Sequence, residues 1–361
     1  MSMYDIVVVG AGPAGLSAAI EARRYGASVL LFDENNLPGG QLFKQIHKFF
    51  GSDAHYAGTR GYLIGRNLLN EAETLGVDFK LGVRVWGMYP DGSVTATDGE
   101  SSIRYFGKRI ILATGASENA LSFPGCTLPG VMTAGAVQTM VNVQHVLPGS
   151  RFVVVGSGNV GLIVAYQLLQ AGAEVCCILE AAKDVGGYGV HAAKVRRAGV
   201  PILTGHTIVK ATGGDGVESI TIAQVDGCFR SIAGTEQTIA CDAIAIAIGL
   251  SPRMELAGVC GCEMAYSPTL GGILPLHRDT METTRNNILV AGDLAGIEEA
   301  STALDEGRMA GCSVAFQLGY LSASAYEEYK AILQKRLNLL RSGPYGDKRR
   351  TAKEALWNAI K

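Results

Sequence analysis

The sequence predicts an α/β fold with two Rossmann-like dinucleotide-binding domains, one of them inserted in the other. A glycine-rich loop follows an apolar, strand-like run at residues 5–15, and a nearly identical loop follows another such run at residues 151–161. A helix-like run comes directly after each loop, which makes both segments strand–loop–helix units. The two units remain alike past the loops, because the next glycine follows after 11 residues in both.

Length, composition and charge place the chain among globular proteins. Its 361 residues are 48% hydrophobic and 18% charged, with a formal net charge of −2. This length predicts two or three domains, and this charge gives no indication of nucleic-acid or membrane binding. No apolar run approaches the roughly 18 residues that span a bilayer, and no basic, then apolar leader opens the chain. We therefore expect a cytoplasmic protein without a membrane span.

Short apolar runs predict the strands of the two sheets. They lie at residues 5–10, 28–33, 110–113, 152–156, 174–180 and 242–248. The last of them is apolar throughout residues 243–248 and stops at Gly249, which is typical of a parallel strand covered on both faces. Helices are predicted after the first and fourth strands, at residues 16–25 and 162–171.

Two crossings between the domains follow from the order of these elements. The runs Ala-Thr-Gly115 and Ala-Ile-Gly249 both end a predicted strand and mark the points where the chain leaves and re-enters the first domain. The predicted segments are residues 1–117 and 242–320 for the first domain, 118–241 for the inserted domain and 321–361 for a basic helical tail.

The first glycine loop has the residues that a dinucleotide requires. Gly10 makes the tight turn, Gly12 lets the backbone approach a pyrophosphate, and Gly15 lets helix and strand pack closely. Asp33 stands 18 residues after Gly15, where a carboxylate accepts hydrogen bonds from ribose hydroxyls, and Glu34 could share or take this role. The residues predicted to line this site are Gly10, Gly12, Pro13, Ala14, Gly15, Asp33 and Glu34.

Three further segments carry a resemblance to a known family. Pro38-Gly-Gly-Gln41 follows the acidic strand end, Ala113-Thr-Gly115 ends a strand, and a run ending in Gly292-Asp293 precedes a predicted helix at residues 298–318. With the first loop, these segments resemble thioredoxin-reductase-like and pyridine-nucleotide-disulfide-reductase-like flavoproteins over about residues 3–320. The resemblance implies that the first site binds FAD.

The resemblance also implies individual contacts to FAD. Asp293 is expected at the ribityl or pyrophosphate region, and Gly39–Gln41 along the flavin. The helix that starts near Ala300 is expected to direct its N-terminus at the pyrimidine edge, where reduced flavin gains negative charge. The FAD-lining residues implied in this way are Gly40, Gln41, Ala113, Thr114, Gly115, Gly292, Asp293 and Ala300.

The second loop retains all three glycines and predicts a second nucleotide site. Its acidic partner is Glu180, which stands 19 residues after Gly161, one position later than in the first copy. A carboxylate there favours a free 2′-hydroxyl, and only Lys183 follows where an arginine cluster would indicate NADP, so we predict NAD(H) over NADP(H). The predicted residues are Gly156, Gly158, Asn159, Val160, Gly161 and Glu180.

Eight cysteines are present, but none of them forms the Cys-x-x-Cys pair of a disulfide reductase. Cys176 and Cys177 are adjacent in a predicted strand and point to opposite faces, whereas Cys260 and Cys262 are a close pair that is open to a redox or metal role but more simply explained by packing. The spacings that iron–sulfur ligation requires are also absent. No metal site is predicted, and disulfide reduction is disfavoured.

The segments at residues 113–118 and 123–138 resemble a more particular group of flavoproteins. This group comprises subunits of sarcosine oxidase, proline or hydroxyproline dehydrogenase and hydrogen cyanide synthase. The resemblance implies a small-molecule substrate, an oligomer, and an electron relay on a separate second flavoprotein or iron–sulfur subunit.

Two polar regions have open interpretations. Lys44 and His47 are candidate catalytic residues that could stabilise anionic reduced flavin or bind an acidic substrate, or could simply belong to a solvated loop. The tail at residues 321–361 has nine Lys and Arg against four Asp and Glu, and could dock an acidic partner or pack on its own domain.

The sequence therefore predicts an FAD enzyme that transfers hydride or electrons between NAD(H) and a partner subunit or small molecule. We expect it to be a flavoprotein subunit of an amino-acid-type or hydroxy-acid-type dehydrogenase complex. The alternatives are a stand-alone FAD oxidase or dehydrogenase of amines or hydroxy acids with a vestigial NAD site, a disulfide reductase, and a non-catalytic NAD-binding scaffold.

Overall fold

The chain divides into two units, each with its own parallel sheet. The structure, a computed structural model, describes residues 3–89 and 91–360. The first unit combines the residues up to Ser117 with those from Ser251 onward, and the second unit is Glu118–Leu250. Parallel sheets with helices occur in both units, which confirms the predicted α/β fold class.

The described residues form both strands and α-helices. In chain order the strands are β1 (Met3–Val9), β2 (Val29–Asp33), β3 (Asp78–Leu81), β4 (Arg84–Met88), β5 (Ser93–Thr97), β6 (Ser102–Leu112), β7 (Ala116–Glu118), β8 (Val131–Thr133), β9 (Arg151–Val155), β10 (Glu174–Glu180), β11 (Ile202–Thr204), β12 (His206–Thr212), β13 (Ser219–Gln224), β14 (Gln237–Ala240), β15 (Ala243–Ile246), β16 (Leu250–Pro252), β17 (Met264–Ser267), β18 (Gly272–Pro275) and β19 (Ile288–Val290). The α-helices are α1 (Pro13–Arg24), α2 (Gly61–Thr74), α3 (Ala134–Asn142), α4 (Asn159–Gln170), α5 (Gly189–Arg197), α6 (Glu255–Val259), α7 (Ala300–Gln317), α8 (Ala323–Leu340) and α9 (Asp347–Ala359).

The main sheet of the first unit has seven strands in the order β3-β2-β1-β6-β5-β4, with β19 also paired to β6. Strands β3, β2, β1, β6 and β19 are parallel, whereas β5 and β4 are antiparallel to their neighbours. Strand β1 is buried on both faces, because Ile6 and Val8 face the helices α1 and α7 while Val7 and Val9 face the core under β4 and β5. A continuous apolar run is what such a position requires.

The second unit repeats this plan. Its parallel sheet has the order β11-β10-β9-β15-β8, and a three-stranded antiparallel sheet of β12, β13 and β14 accompanies it. Strand β15 pairs parallel with both β9 and β8 and is buried as predicted, but it ends at Ile246, and Ile248 of the predicted run is exposed. Ala243 and Ala245 pack towards α3 and α4, and Ile244 and Ile246 pack towards the antiparallel sheet.

Strand β15 also shows where the sequence boundary differs from the structure. The sequence analysis started the second part of the first domain at residue 242, whereas the structure keeps β15 in the second unit and changes unit after Leu250. The physical reason is that β15 lies between β9 and β8 in the parallel sheet. Its backbone N–H and C=O groups would lose their hydrogen-bond partners if it left that sheet.

Helix α7 lies directly on α1 in the first unit. A Cβ added at Gly307 would lie 2.1 Å from the carbonyl oxygen of Ala14, and one added at Gly311 would lie 2.4 Å from that of Ala18. Since both pairs advance together along the chain, the two helices run parallel. Gly307 lies on Ala14, and α7 begins seven residues before Gly307. At 1.5 Å per residue, the N-terminus of α7 at Ala300 therefore extends about 10 Å past Ala14.

The tail packs on its own unit. Helices α8 and α9 place Arg341 and Lys353 inside it, where the two residues are 1% and 0% exposed. Of the two interpretations of the basic tail, the structure supports packing on its own domain.

Candidate dinucleotide-binding sites

Two of the three glycines in the first loop are required by the protein itself. Gly10 has φ +108°, and a Cβ there would lie 2.2 Å from the carbonyl oxygen of Ala113. A Cβ at Gly15 would lie 1.7 Å from the carbonyl oxygen of Gly10. These contacts hold β1, α1 and the end of β6 together at the loop.

Gly12 is different, because nothing in the protein requires a glycine there. Its φ of −73° and ψ of −178° are accessible to any residue, and a Cβ there would have no protein atom within 4 Å. Helix α1 begins at Pro13, with Gly12 as its N-cap and no side-chain cap, so the backbone N–H groups of Ala14 and Gly15 in its first turn are available as donors. Open space, bare backbone and a helix N-terminus together fit a pyrophosphate.

The second loop has the same construction. A Cβ at Gly156 would lie 2.2 Å from the carbonyl oxygen of Ala247, and one at Gly161 would lie 2.0 Å from that of Gly156. Gly158 has φ −64°, an uncapped α4 after it, and no atom within 4 Å of an added Cβ. Both loops therefore fit a phosphate-containing ligand at the same position.

The acidic residue of each copy binds its own glycine loop. Asp33 accepts hydrogen bonds from the backbone N–H groups of Ala11, at 2.6 Å, and Asn35, at 2.8 Å. Glu180 accepts from the equivalent N–H groups of Ser157, at 3.0 Å, and Ala182, at 2.9 Å. Each carboxylate thus fixes the loop and keeps lone pairs for ribose hydroxyls.

A β-bulge explains the extra residue before Glu180. The pairing of β10 with β9 shifts register between Val175 and Cys177, so one more residue is needed to reach the same point. Glu180 consequently occupies the position that Asp33 occupies in the first copy, despite its different spacing from the glycines.

Glu34 lies beside Asp33 but has different partners. It forms ion pairs with Arg253 at 2.8 Å and with Arg84 at 3.2 Å. Partial burial opposes its ionisation, but the two guanidinium groups outweigh burial and lower the pKa of Glu34. Arg253 also donates to the hydroxyl of Ser117. Glu34 thus holds Arg253, which lies beside Ser117 where the chain leaves and re-enters the first unit.

A second glycine pair covers each loop, and the sequence analysis recognised it only in the first copy. The N–H of Gly39 donates to the carbonyl oxygen of Ala11, and that of Gly187 donates to the carbonyl oxygen of Ser157. A Cβ at Gly40 would lie 2.8 Å from the Cα of Gly12. The run Pro-Gly-Gly at 38–40 and the run Val-Gly-Gly at 185–187 were the available signal.

The turn that contains Gly292 and Asp293 adjoins the first loop. A Cβ at Gly292 would lie 2.8 Å from the Cβ of Ala14, and its N–H donates to Glu306 at 3.0 Å. Burial, followed by the nearby carboxylates of Glu306 and Glu299, raises the pKa of Asp293 to about 7. No equivalent turn is present at the second loop among the residues described for that unit.

The raised pKa of Asp293 predicts a pH-dependent stability of the FAD-free protein. Since its pKa is about 7 when folded and near 3.8 when unfolded, folding binds a proton in this window, and stability falls as the pH rises through it. The full difference corresponds to roughly 4 kcal/mol, which screening of the half-buried side chain reduces. We expect Asp293→Asn to lose this dependence in thermal melts at pH values below and above the window. An unchanged dependence in the variant would contradict the assignment.

Several other predicted site residues lie around this loop. Ala300 starts α7, whose first turn extends past the N-terminus of α1. Gln41 is exposed in the 3-10 turn Gly40–Lys44. The hydroxyl of Thr114 donates to the carbonyl oxygen of Arg253, which fixes the end of β6 to the second crossing. In the second unit, Asn159 accepts from the N–H of Tyr188 and so holds the cover of the second loop.

The two candidate catalytic residues have different surroundings. Lys44 is buried at the end of the 3-10 turn, and half-buried His47 stacks on Phe49 with ring centroids 5.0 Å apart. A pair that the sequence analysis missed is His55 and Asp305, both buried, with Nε2 and Oδ2 2.9 Å apart. This pair connects the loop before α2 to α7, and no spacing rule could have indicated it.

All cysteines except the exposed Cys228 are at least partly buried, which is consistent with packing roles. All eight are free. Burial raises the pKa of Cys260 to about 12 and also raises that of Cys262, whose thiol donates to Thr283. Among residues 3–89 and 91–360, no His, Cys, Asp and Glu side chains group as a metal site would require. No helix in that part of the chain has the length and apolarity to cross a bilayer.

Comparison with known proteins identifies the family. The model of the pyridine nucleotide-disulphide oxidoreductase family matches residues 4–307. An opine oxidase subunit of Rhizobium meliloti strain 1021 is 31% identical over 88% of this chain and 72% of its own length. The HcnB subunit of hydrogen cyanide synthase from Pseudomonas protegens is 29% identical over 88% of this chain and 72% of its own length. Thioredoxin reductase of T. acidophilum is 20% identical with a TM-score of 0.71, over 88% of this chain and 99% of its own.

These findings confirm the family resemblance inferred from the glycine loops, the Gly-Gly-Gln segment and the Gly-Asp turn. They also confirm that the chain is an oxidoreductase, and they imply binding of FAD and NAD(P), which the two phosphate-compatible loops fit. The chain belongs to the pyridine nucleotide-disulphide oxidoreductase family.

Proposed function

We propose that this chain is an FAD-dependent oxidoreductase that passes electrons between NAD(H) and a partner subunit or small molecule. It acts as the flavoprotein subunit of an amino-acid-type or hydroxy-acid-type dehydrogenase complex. The observation that carries the proposal is the pair of open positions at Gly12 and Gly158, where only a bound ligand accounts for the glycine.

The surroundings of the two loops support FAD at the first loop and NAD(H) at the second. The first loop has the additional Gly292–Asp293 turn and a parallel α7 whose N-terminus extends about 10 Å past α1. This separation gives an elongated FAD one helix N-terminus for its pyrophosphate and another for its flavin. Bound FAD supplies the two-electron chemistry. The chain's residues hold it, and Lys44 and His47 remain the candidates for charge or proton control near the flavin.

Glu180 supports NAD(H) rather than NADP(H) at the second loop. Its carboxylate is fixed by Ser157 and Ala182, so it cannot easily turn away from the ribose. A 2′-phosphate would bring its negative charge close to this carboxylate, whereas a 2′-hydroxyl donates to it. The intact second loop also argues against a vestigial site.

The proposed fate of the electrons is supported by the cysteines and the relatives. No disulfide forms among the eight cysteines, and Cys260 and Cys262 both lie in the turn between α6 and β17, so a redox disulfide of the reductase type has no support. Two of the relatives are named as subunits of an oxidase and a synthase. We therefore propose a separate partner chain as the electron relay and a small amine or hydroxy acid as substrate.

Anaerobic titration of the FAD-loaded protein with NADH tests this function. We expect NADH to bleach the visible flavin absorbance, with NADPH at least about tenfold less effective because of Glu180. Bleaching by an amine or hydroxy acid but not by NADH would favour the stand-alone oxidase instead. A reconstituted protein that takes up no flavin would refute the proposal altogether.

A further inference from the structure

The tail contributes the two most deeply buried cations of the first unit among the described residues. Arg341 follows α8 and Lys353 lies on α9, and both are at most 1% exposed. Buried charges require partners, because transfer from water is otherwise too costly. The partners here lie next to the first loop.

Glu306 is the residue on which these cations converge. One of its carboxylate oxygens accepts from Lys353 at 2.6 Å and from Arg341. The other accepts from the N–H of Gly292 at 3.0 Å. Burial opposes ionisation of Glu306, but Lys353 and Arg341 outweigh it and lower its pKa. The same carboxylate thus joins the tail to the Gly292–Ala295 turn.

The tail also holds the turn and the segment before α7 directly. Lys353 donates to the carbonyl oxygen of Ala295 at 2.9 Å, and Arg341 donates to Glu298 at 2.6 Å and 3.0 Å. Charge is balanced within this group, since two cations face the carboxylates of Glu298 and Glu306. His277, beside Lys353, stays neutral because burial and then Lys353 lower its pKa to about 3.

We infer that Lys353 and Arg341 are positioning residues for FAD, acting through Glu306 on the Gly292–Ala295 turn. This inference rests on the proposed assignment of FAD to the first loop. The family match ends at residue 307, so both cations belong to a segment beyond the shared part of the chain. Loss of either cation leaves a net buried negative charge beside Asp293. It also removes a partner that holds the Glu306 carboxylate in place against the N–H of Gly292.

Substitution Lys353→Met tests the inference, with Lys348→Met as its matched control. Both residues lie on α9 and both substitutions remove one positive charge, but Lys348 is exposed. For Lys353→Met we expect the Kd for FAD of the reconstituted apoprotein to rise on the order of tenfold. Lys348→Met should leave this Kd within about twofold, and the affinity for NAD(H) should not change in either variant.

Further variants separate positioning from general stability. Lys353→Arg retains the charge and should recover most of the FAD affinity. If Lys353→Met fails to fold, Arg341→Lys is the second test. This milder change keeps the charge but not the paired hydrogen bonds to Glu298, and it should weaken FAD binding severalfold. Lower apoprotein melting temperatures with an unchanged Kd in the variants would overturn the inference. If the parent protein itself bound no FAD, the proposed function would fail instead.

Discussion

Replacing Gly12 with alanine should weaken FAD binding while leaving the fold intact. The new methyl group would meet no protein atom within 4 Å and would adopt an ordinary backbone conformation, so the apoprotein should melt as the parent does. The same methyl group would occupy the space in which the backbone approaches the pyrophosphate. Such overpacking costs about 1–3 kcal/mol, which corresponds to a roughly 5- to 150-fold rise in Kd for FAD.

Two other glycines provide the controls for this substitution. Gly15→Ala would place a Cβ 1.7 Å from a backbone oxygen, so we expect it to destabilise the first unit by more than about 3 kcal/mol. Gly158→Ala repeats the Gly12 change at the second loop, and it should retain FAD but slow flavin reduction by NADH. Dialysis followed by flavin absorbance, together with thermal melts, distinguishes the three outcomes. Normal FAD retention in Gly12→Ala would contradict the proposed site.

The repeated glycine loops made most of this fold predictable. The apolar runs at residues 5–10 and 152–156 indicated buried parallel strands. A strand whose two faces are both covered has almost no position for a polar side chain, so its sequence is apolar nearly throughout. The loops also identified Gly12 and Gly158, since the fingerprint depends on local backbone geometry that the sequence encodes directly. The boundary at residue 242 placed β15 in the first domain, whereas the structure has it in the second unit, because an apolar run does not indicate which sheet it joins.

The contacts that depend on distant residues could not be predicted in this way. Glu306 and Lys353 are 47 residues apart, and nothing in their local patterns indicates that they pair. His55 and Asp305 are 250 residues apart. The bulge in β10 left the spacing of Glu180 ambiguous until its pairing with β9 was known. Local rules specify the loops, whereas tertiary packing decides which charged groups support them.

Substitution of Glu180 should change the nicotinamide preference more than any other single charge in the second unit. In Glu180→Gln one oxygen remains to accept from the loop, but the negative charge is lost. Charge-assisted hydrogen bonds contribute about 1.5–3 kcal/mol, so the affinity for NADH should fall roughly 10- to 150-fold. NADPH should bind better than before, because its 2′-phosphate no longer faces a carboxylate. The ratio of flavin-reduction rates with the two nucleotides measures the change.

Ser157→Ala is the matched control for this substitution. Ser157 is fully buried, and its hydroxyl donates to Glu180 at 2.6 Å and accepts from the N–H of Gly186 at 3.0 Å. The first copy has Ala11 at this position, so the loop tolerates the loss of the hydroxyl while Glu180 retains its charge and its backbone donors. We expect Ser157→Ala to lower NADH affinity only a few-fold and to preserve the preference for NADH. Equal preference in Glu180→Gln and the parent would mean that this carboxylate only holds the loop and does not read the ribose.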